Sequence, residues 1–399
     1  MRKVGMVTVA RSDYSYYRPL LRRIQADPAL ELDLIVAGMH LSQDFGYTVK
    51  AIEEDGFPIN ERVEMLLHSD TPSGISKSMG LGTLGFAQCF ENQRPDLLLL
   101  LGDFFAMHAA AVAAVPFRIP LAHMHGGEVT EGAMDDALRH SITKMSHLHF
   151  VATTEYARRV VQMGEEPWRV TVSGAPSLDN LKDLSLLETA ALAGQYGLDL
   201  SRPPLLVSFH PVTLESEQTE WQTGELLAAL EACGLPVVFS LPNADAGNQT
   251  IRRMIQGFIR SRDSAFLVDS FGTTAYFSLM AVSAAMVGNS SSGIIEAASF
   301  RLPVVNVGTR QEGRVRGRNV IDTAYDRKSV LEGIQKATHP QFREDLKGLV
   351  NPYGEGKAAD TILQVLKTIP LDDRLIRKKF HDMPRSPSPQ ELEEGVETA

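Results

Sequence analysis

"VGMVTVARSDYSYYRPLLRRIQAD", residues 4–27, starts as a continuous apolar run, crosses a polar loop and continues with helical spacing. So short a run, apolar at nearly every position, suits a strand covered on both faces, as in a parallel sheet. The alternation recurs along the first half in LDLIVAG (32–38), LLLLLG (97–102), IPLAHMH (119–125), LHFVA (148–152) and VTVSG (170–174). In the second half it returns in PLLVSFH (204–210), LPVVFSL (235–241), AFLVD (265–269), AAMVGN (284–289) and LPVVNVG (302–308). Segments between these runs, such as TGELLAALEACG (223–234), carry helical periodicity. Strand–helix alternation in two series predicts two doubly wound α/β domains, 1–180 and 181–370, joined through a turn-rich stretch at 173–204. Sheets of this kind hold ligands beyond their strand carboxyl ends, so two of them facing each other imply a cleft. From Leu371 the chain becomes charged and then rich in Pro and Ser, and 371–399 reads as a tail whose last fifteen or so residues are disordered.

The composition fits that architecture. With 399 residues, 44% of them hydrophobic and 22% charged, the chain can bury two cores. A net charge of −10 argues against nucleic acid as a partner, because phosphates must be met by a basic face. A small anion needs only a few local cations and N–H groups. Cys89 and Cys233 lie far apart and outside any metal-ligand spacing, so they read as reduced thiols in a cytoplasmic protein. The amino-terminal apolar run is broken at once by charge and reads as a strand, not a signal peptide. No run approaches the ~18 apolar residues of a membrane span. Nothing suggests a metal or a cofactor.

Chemistry-bearing residues gather where the predicted strands end. In MVGNSSSGIIEAASF (286–300) a strand runs into Ser290, Ser291 and Ser292 ahead of a helix carrying Glu296. Small hydroxyls and free N–H groups at a helix start make an anion site, and equally an ordinary capped helix. Arg11 and Asp13 occupy the first strand-to-helix loop, either as a phosphate clamp or as a loop ion pair. His40 ends the second strand, and Asp103 ends the third as a candidate base or a helix cap. His210 leaves a strand of the second half, and Asn243, Arg310, Gln311 and Arg314 lie on loops assigned to the cleft side. HMHGGEVTEGAMDDALRH (123–140) is the most crowded stretch, with a strand, a Gly126–Gly127 turn and then a helix. Asp135 with Arg139 and Asp136 with His140 are spaced to share a helix face. That is either a solvated ion-pair surface or a proton-handling site in which neighbouring carboxylates raise one another's pKa.

In chain order, ARSDY, GMHLS, LGD, HGGEVTEGAMDDALRHSITKMSHLHF, SGAPSLDNL, HPVT, PNADAG, GNSSSGIIEA, GTRQEGR and NPYGEGKAADTILQVL resemble the UDP-N-acetylglucosamine 2-epimerase family. They are most similar to its hydrolysing branch, which serves sialic- and legionaminic-acid synthesis. The resemblance runs from residue 1 to about 369. It implies two Rossmann-like domains in a glycosyltransferase-B-like fold, a nucleotide-sugar substrate and a homo-oligomer, dimer or tetramer. It places Ser290 and Ser291 on the diphosphate, Glu296 on the ribose and Arg11 on the phosphates from the opposite domain. Asp103, Glu128, Asp135 and His210 would line the sugar pocket, with Arg139 supporting Asp135. The implied reaction removes the C2 proton as UDP leaves C1, adds water to the glycal and returns a proton to C2 on the other face. Two positions depart from the family. Phe104 follows Asp103 where many relatives have arginine, and His125 stands where some have glutamate. The proton role is therefore open between His125 and Glu128. Phe104 suggests a less polar sugar, a UDP- or GDP-linked 2,4-diacetamido-2,4,6-trideoxyglucose, beside UDP-N-acetylglucosamine. A glycosyltransferase on the same fold is the alternative from another reaction class.

Overall fold

In a computed structural model, residues 1–69, 71–130, 134–240, 248–268 and 271–383 are described. The first sheet contains β1 (Arg2–Thr8), β2 (Leu30–Ala37), β3 (Glu61–Val63), β4 (Leu97–Leu101), β5 (Leu121–Met124), β6 (Leu148–Val151) and β7 (Val170–Val172). The second contains β8 (Leu205–Ser208), β9 (Val237–Ser240), β10 (Ala265–Val268), β11 (Ala285–Gly288), β12 (Val304–Val307) and β13 (Val320–Thr323). Their orders are β3-β2-β1-β4-β5-β6-β7 and β10-β9-β8-β11-β12-β13, and all the paired strands run parallel. Every expected strand is present. The two that sequence reading missed, β3 and β13, are edge strands. Their sequences, ERV and VIDT, are only partly buried and lack the continuous apolar run that marks a central strand.

Strand order reverses between β1 and β4 in the first sheet and between β8 and β11 in the second. At such a point the connecting helices diverge to opposite faces and leave a crevice beyond the strand ends. The two crevices face each other, and residues of both lobes line one cavity of about 130 Å³. This is the glycosyltransferase-B-like arrangement of two α/β lobes across a cleft.

The chain crosses back after the second sheet. Helix Ala358–Thr368, counted with the second domain in the sequence reading, packs on the first lobe. Its Ala358, Ile362 and Leu366, four apart, are buried in the core beneath helix Arg11–Ala26. Arg23 pairs with Asp360 and Lys367 with Asp27, each at 2.6 Å. The segment that was expected to begin a tail at Leu371 continues on this lobe. Leu375 is buried in the same core, and Arg169, itself buried, donates to the carbonyls of Leu375 and Arg374 at 2.8 and 2.9 Å. The stretch expected to be disordered lies outside the described residues. Truncation after Pro370 would take two carbonyl acceptors from the Arg169 guanidinium, hydrogen bonds of a charged group worth about 1.5–3 kcal/mol, and would lose the Leu375 contacts. The melting temperature should fall by several degrees; an unchanged melt would show that this segment contributes nothing. Among the described residues no helix is long and apolar enough to cross a membrane.

Candidate active site

β5 runs into His125, whose φ of 63° is uncommon for a residue with a side chain. Gly127 follows with φ +76°, and a Cβ there would sit 2.4 Å from the Tyr156 carbonyl, so this turn position excludes any side chain. The turn folds Glu128 back until its Oε1 lies 2.6 Å from His125 Nδ1, with Tyr16 stacked on the imidazole at 5.8 Å. Arg314, from the second lobe, approaches Glu128 Oε2 at 3.5 Å. Burial pushes the Glu128 carboxyl up, but His125, Arg314 and Arg139 outweigh it and draw the pKa down to about 2. Glu128 is therefore an anion that accepts from His125 Nδ1–H. The opposite nitrogen, Nε2, is buried without a hydrogen-bond partner among the described residues, on a residue that lines the cavity.

Helix Met134–Met145 supplies Arg139, which is buried. Its guanidinium pairs with Asp103, with Asp136 at 3.1 Å and with Thr130 Oγ1 at 3.0 Å, and donates to the Glu128 carbonyl at 3.2 Å. The expected Arg139–Asp135 pair is thus replaced by contacts to Asp103 and Asp136. Asp136 is turned inward by accepting from the Thr130 N–H at 2.8 Å, and this favours the three-residue spacing over the four-residue one. The Asp136–His140 pair forms at 3.6 Å. Asp135 is half-buried, and its pKa is raised by burial and then by the Asp103 charge.

The opposite wall begins at Gly288, whose φ of +132° brings β11 against β8. A Cβ at this position would lie 2.0 Å from the Ser208 carbonyl. Asn289 then staples the two strand ends, accepting from the His210 N–H at 2.7 Å and donating to the His210 carbonyl at 2.8 Å. Arg310 and Gln311 both donate to the Asn289 carbonyl at 2.9 Å. Burial, and then Arg310, push the His210 imidazole down to about 3, so it is neutral. Ser290 caps helix Ser291–Ile295, and the hydroxyls of Ser290, Ser292 and Tyr276 are joined at 2.8 Å. Of the three serines, Ser291 lines the cavity.

Burial drives the Glu296 carboxyl up to about 7, against the pull of Ser177, His125 and Arg314. The folded chain therefore holds this proton above its ordinary 4.5, and stability falls as pH rises between those values. Glu296→Gln removes a cost of about 3 kcal/mol at most. The variant should melt several degrees above wild type at pH 8 and close to it at pH 4.5. Equal melting at both pH values would contradict the buried charge.

The cavity collects Asp13, Asp103, His125, Glu128, Arg139, Ser291 and Arg314 from the sequence-predicted set. Asp135, His210, Ser290, Ser292, Glu296 and Arg310 are not among its lining residues, and neither are His40 and Arg11. His40 is fully buried between Thr8 at 3.0 Å and Thr48 at 2.7 Å, where it braces the loop behind the cleft. Arg11 is exposed at the start of its helix, and Asp13 bonds the Thr8 hydroxyl and the Val9 and Ala10 N–H groups instead of Arg11. Asn243 lies outside the described residues. Ser12 and Tyr16 were missed although both line the cavity. Their four-residue spacing just past a strand end was the available signal.

Two nucleotide-type α/β lobes closing on a carboxylate–histidine pair, with cations on both walls, define an enzyme site for a charged small molecule. The chain belongs to the UDP-N-acetylglucosamine 2-epimerase family, which residues 22–367 match. It is 38% identical over 379 residues to the UDP-N,N'-diacetylbacillosamine 2-epimerase (hydrolyzing) of Legionella pneumophila, covering 95% of this chain and 99% of that one. It is 34% identical over 386 residues to polysialic acid biosynthesis protein P7 of Escherichia coli, covering 96% and 98%. The crystal structure of UDP-GlcNAc 2-epimerase from Neisseria meningitidis bound to UDP-GlcNAc superposes with a TM-score of 0.79 at 19% identity, covering 91% of this chain and 99% of that one. That last likeness is one of fold.

Proposed function

We propose that the protein is a hydrolysing nucleotide-sugar 2-epimerase, and that His125 carries the proton on one face of the sugar. The observation that carries this reading is the His125–Glu128 pair. A fixed carboxylate on Nδ1 leaves Nε2, on a residue of the cavity wall, as the ring nitrogen without a hydrogen-bond partner among the described residues. This reading assigns the opposite face of the reacting carbon to Asp103, on the cavity wall, and Asp135. Asp103 is paired with Arg139, and Asp135, whose carboxyl is pushed up by burial and by the Asp103 charge, is the better proton donor. Loss of the C2 proton as UDP departs from C1 gives a glycal. Water adds its hydroxyl at C1 and a proton returns to C2 on the opposite face, so substrate and water become a 2-epimerised free sugar and UDP. Arg314, Ser291 and the N–H groups of its helix hold the developing diphosphate charge, and Glu296 holds the ribose.

An apolar pocket formed by Val9, Met39, Leu66, Phe104 and Phe105 opens beside the cavity, with Phe104 shared between them. The recess itself is small, about 10 Å³, and it is the apolar Phe104 on the wall of the main cavity that supports a 2,4-diacetamido-2,4,6-trideoxy sugar over N-acetylglucosamine, because a methyl edge gains there what a hydroxyl does not. UDP release should be measured without acceptor for both UDP-sugars. The expected result is release from both, with kcat/KM higher by about tenfold or more for the diacetamido sugar. A glycosyltransferase would stay silent until an acceptor is added.

Leu81 and Leu84 on helix Pro72–Asn92 and Val112 and Val115 beside it are exposed, with Leu84 71% accessible. This apolar face supports the expected homo-oligomer.

A further inference from the structure

Behind the cavity, the loop that carries Arg314 is gripped by two buried phenols. The Val315 N–H donates to Tyr156 Oη at 3.2 Å, and Tyr353 Oη donates to the Val315 carbonyl at 2.9 Å. The two hydroxyls lie 2.8 Å apart. Proton counting fixes the direction of the remaining bond. Tyr353 spends its hydrogen on the carbonyl, so Tyr156 donates to Tyr353 and accepts from the amide. Each phenol then gives one bond and takes one, and both polar groups of the part-buried Val315 are satisfied.

The members of this circuit come from different parts of the fold. Tyr156 sits on helix Thr154–Gln162 of the first lobe, whereas Val315 belongs to the second lobe. Tyr353 lies on the segment that crosses back, and its carbonyl accepts from the Ala175 N–H at 2.8 Å. Next to it, Asn351 accepts from the Tyr353 N–H at 2.9 Å and donates to the Ile295 carbonyl, at the end of the serine-led helix, at 2.7 Å. Tyr156 and Tyr353 are fully buried and Asn351 nearly so. Arg314, one residue from the gripped amide, meets Glu128 across the lobes at 3.5 Å.

We propose that the Tyr156–Val315–Tyr353 circuit is an inter-lobe latch that holds Arg314 against Glu128 and the departing diphosphate, which makes both tyrosines positioning residues for turnover. The role attributed to Arg314 rests on the epimerase reading. The latch itself does not, and the two are tested separately. A Tyr→Phe change at either position deletes one hydroxyl, keeps the ring and opens the circuit.

Tyr156→Phe, Tyr353→Phe and the double variant should be compared with wild type by steady-state UDP release and by amide hydrogen exchange over residues 310–320. Each single change is expected to lower kcat about tenfold with KM within about twofold, and to speed exchange at Val315 in enzyme without substrate. The double variant should lose about as much as either single, since one circuit is broken only once. A double loss near a hundredfold, or wild-type kcat in both single variants with the fold retained, overturns the latch. So does unchanged exchange at Val315. If wild type releases no UDP, the epimerase reading fails while exchange still decides the latch. Should one single variant fail to fold, the other opens the same circuit and is read alone.

Discussion

His125→Ala lowers kcat by about 10²- to 10⁴-fold, the range for loss of a positioned acid–base group. The free enzyme's affinity for UDP changes little. Both expectations come from the geometry. His125 lines the cavity and its Nε2 has no hydrogen-bond partner among the described residues, so removing the ring takes away a proton carrier and leaves the phosphate-side groups in place. Glu128→Gln should fall between His125→Ala and wild type. The amide can still contact the ring, but it no longer fixes the donor at Nδ1 or supports a cationic imidazole. Stopped-time UDP release, with UDP titrated separately, measures the two effects. If His125→Ala turns over like wild type, the proton role leaves His125, and Glu128, held near pKa 2, is no better candidate for it.

Asp103→Asn is the second large effect, a loss of about 10²-fold or more in kcat. It should also carry a pH signature. The Asp103 charge is one of the influences that raise the Asp135 pKa, second to burial. Neutralising Asp103 lets the Asp135 pKa fall, so the alkaline limb that reports the protonated acid should move to lower pH. Arg139 would keep Asp136, Thr130 and the Glu128 carbonyl, and the fold should survive. Asp136→Asn, which removes a different partner of the same guanidinium and a weaker influence on Asp135, should cost less and move the alkaline limb less. Equal kinetics in the two variants would mean that Asp103 only anchors Arg139.

How far these groups were legible in the sequence depends on whether the signal was local. Central strands declare themselves because burial on both faces demands unbroken apolar runs. ERV and VIDT escaped because an edge strand is half wet. Asp103, His125, Glu128 and Ser291 were legible since each follows a strand end or a glycine turn, and Arg139 through its spacing on a helix face. Arg139's choice of Asp103 and Asp136 over Asp135 was not, because it depends on Thr130 turning Asp136 inward, a contact outside helix periodicity. His40 misled for the opposite reason. A strand-end position says nothing about which side a ring faces, and two threonines draw this one inward. The Tyr156–Tyr353 pair joins residues far apart in sequence, so no window could show it.

The central claim is that one cleft removes a hydrogen from C2 and returns another while UDP leaves. The most direct measurement is incubation of wild type with the UDP-sugar in D2O, followed by NMR of the free sugar. The account predicts UDP without any acceptor and a manno-configured product carrying one deuterium at C2. A product that keeps protium at C2, or UDP that appears only when an acceptor is supplied, would contradict it.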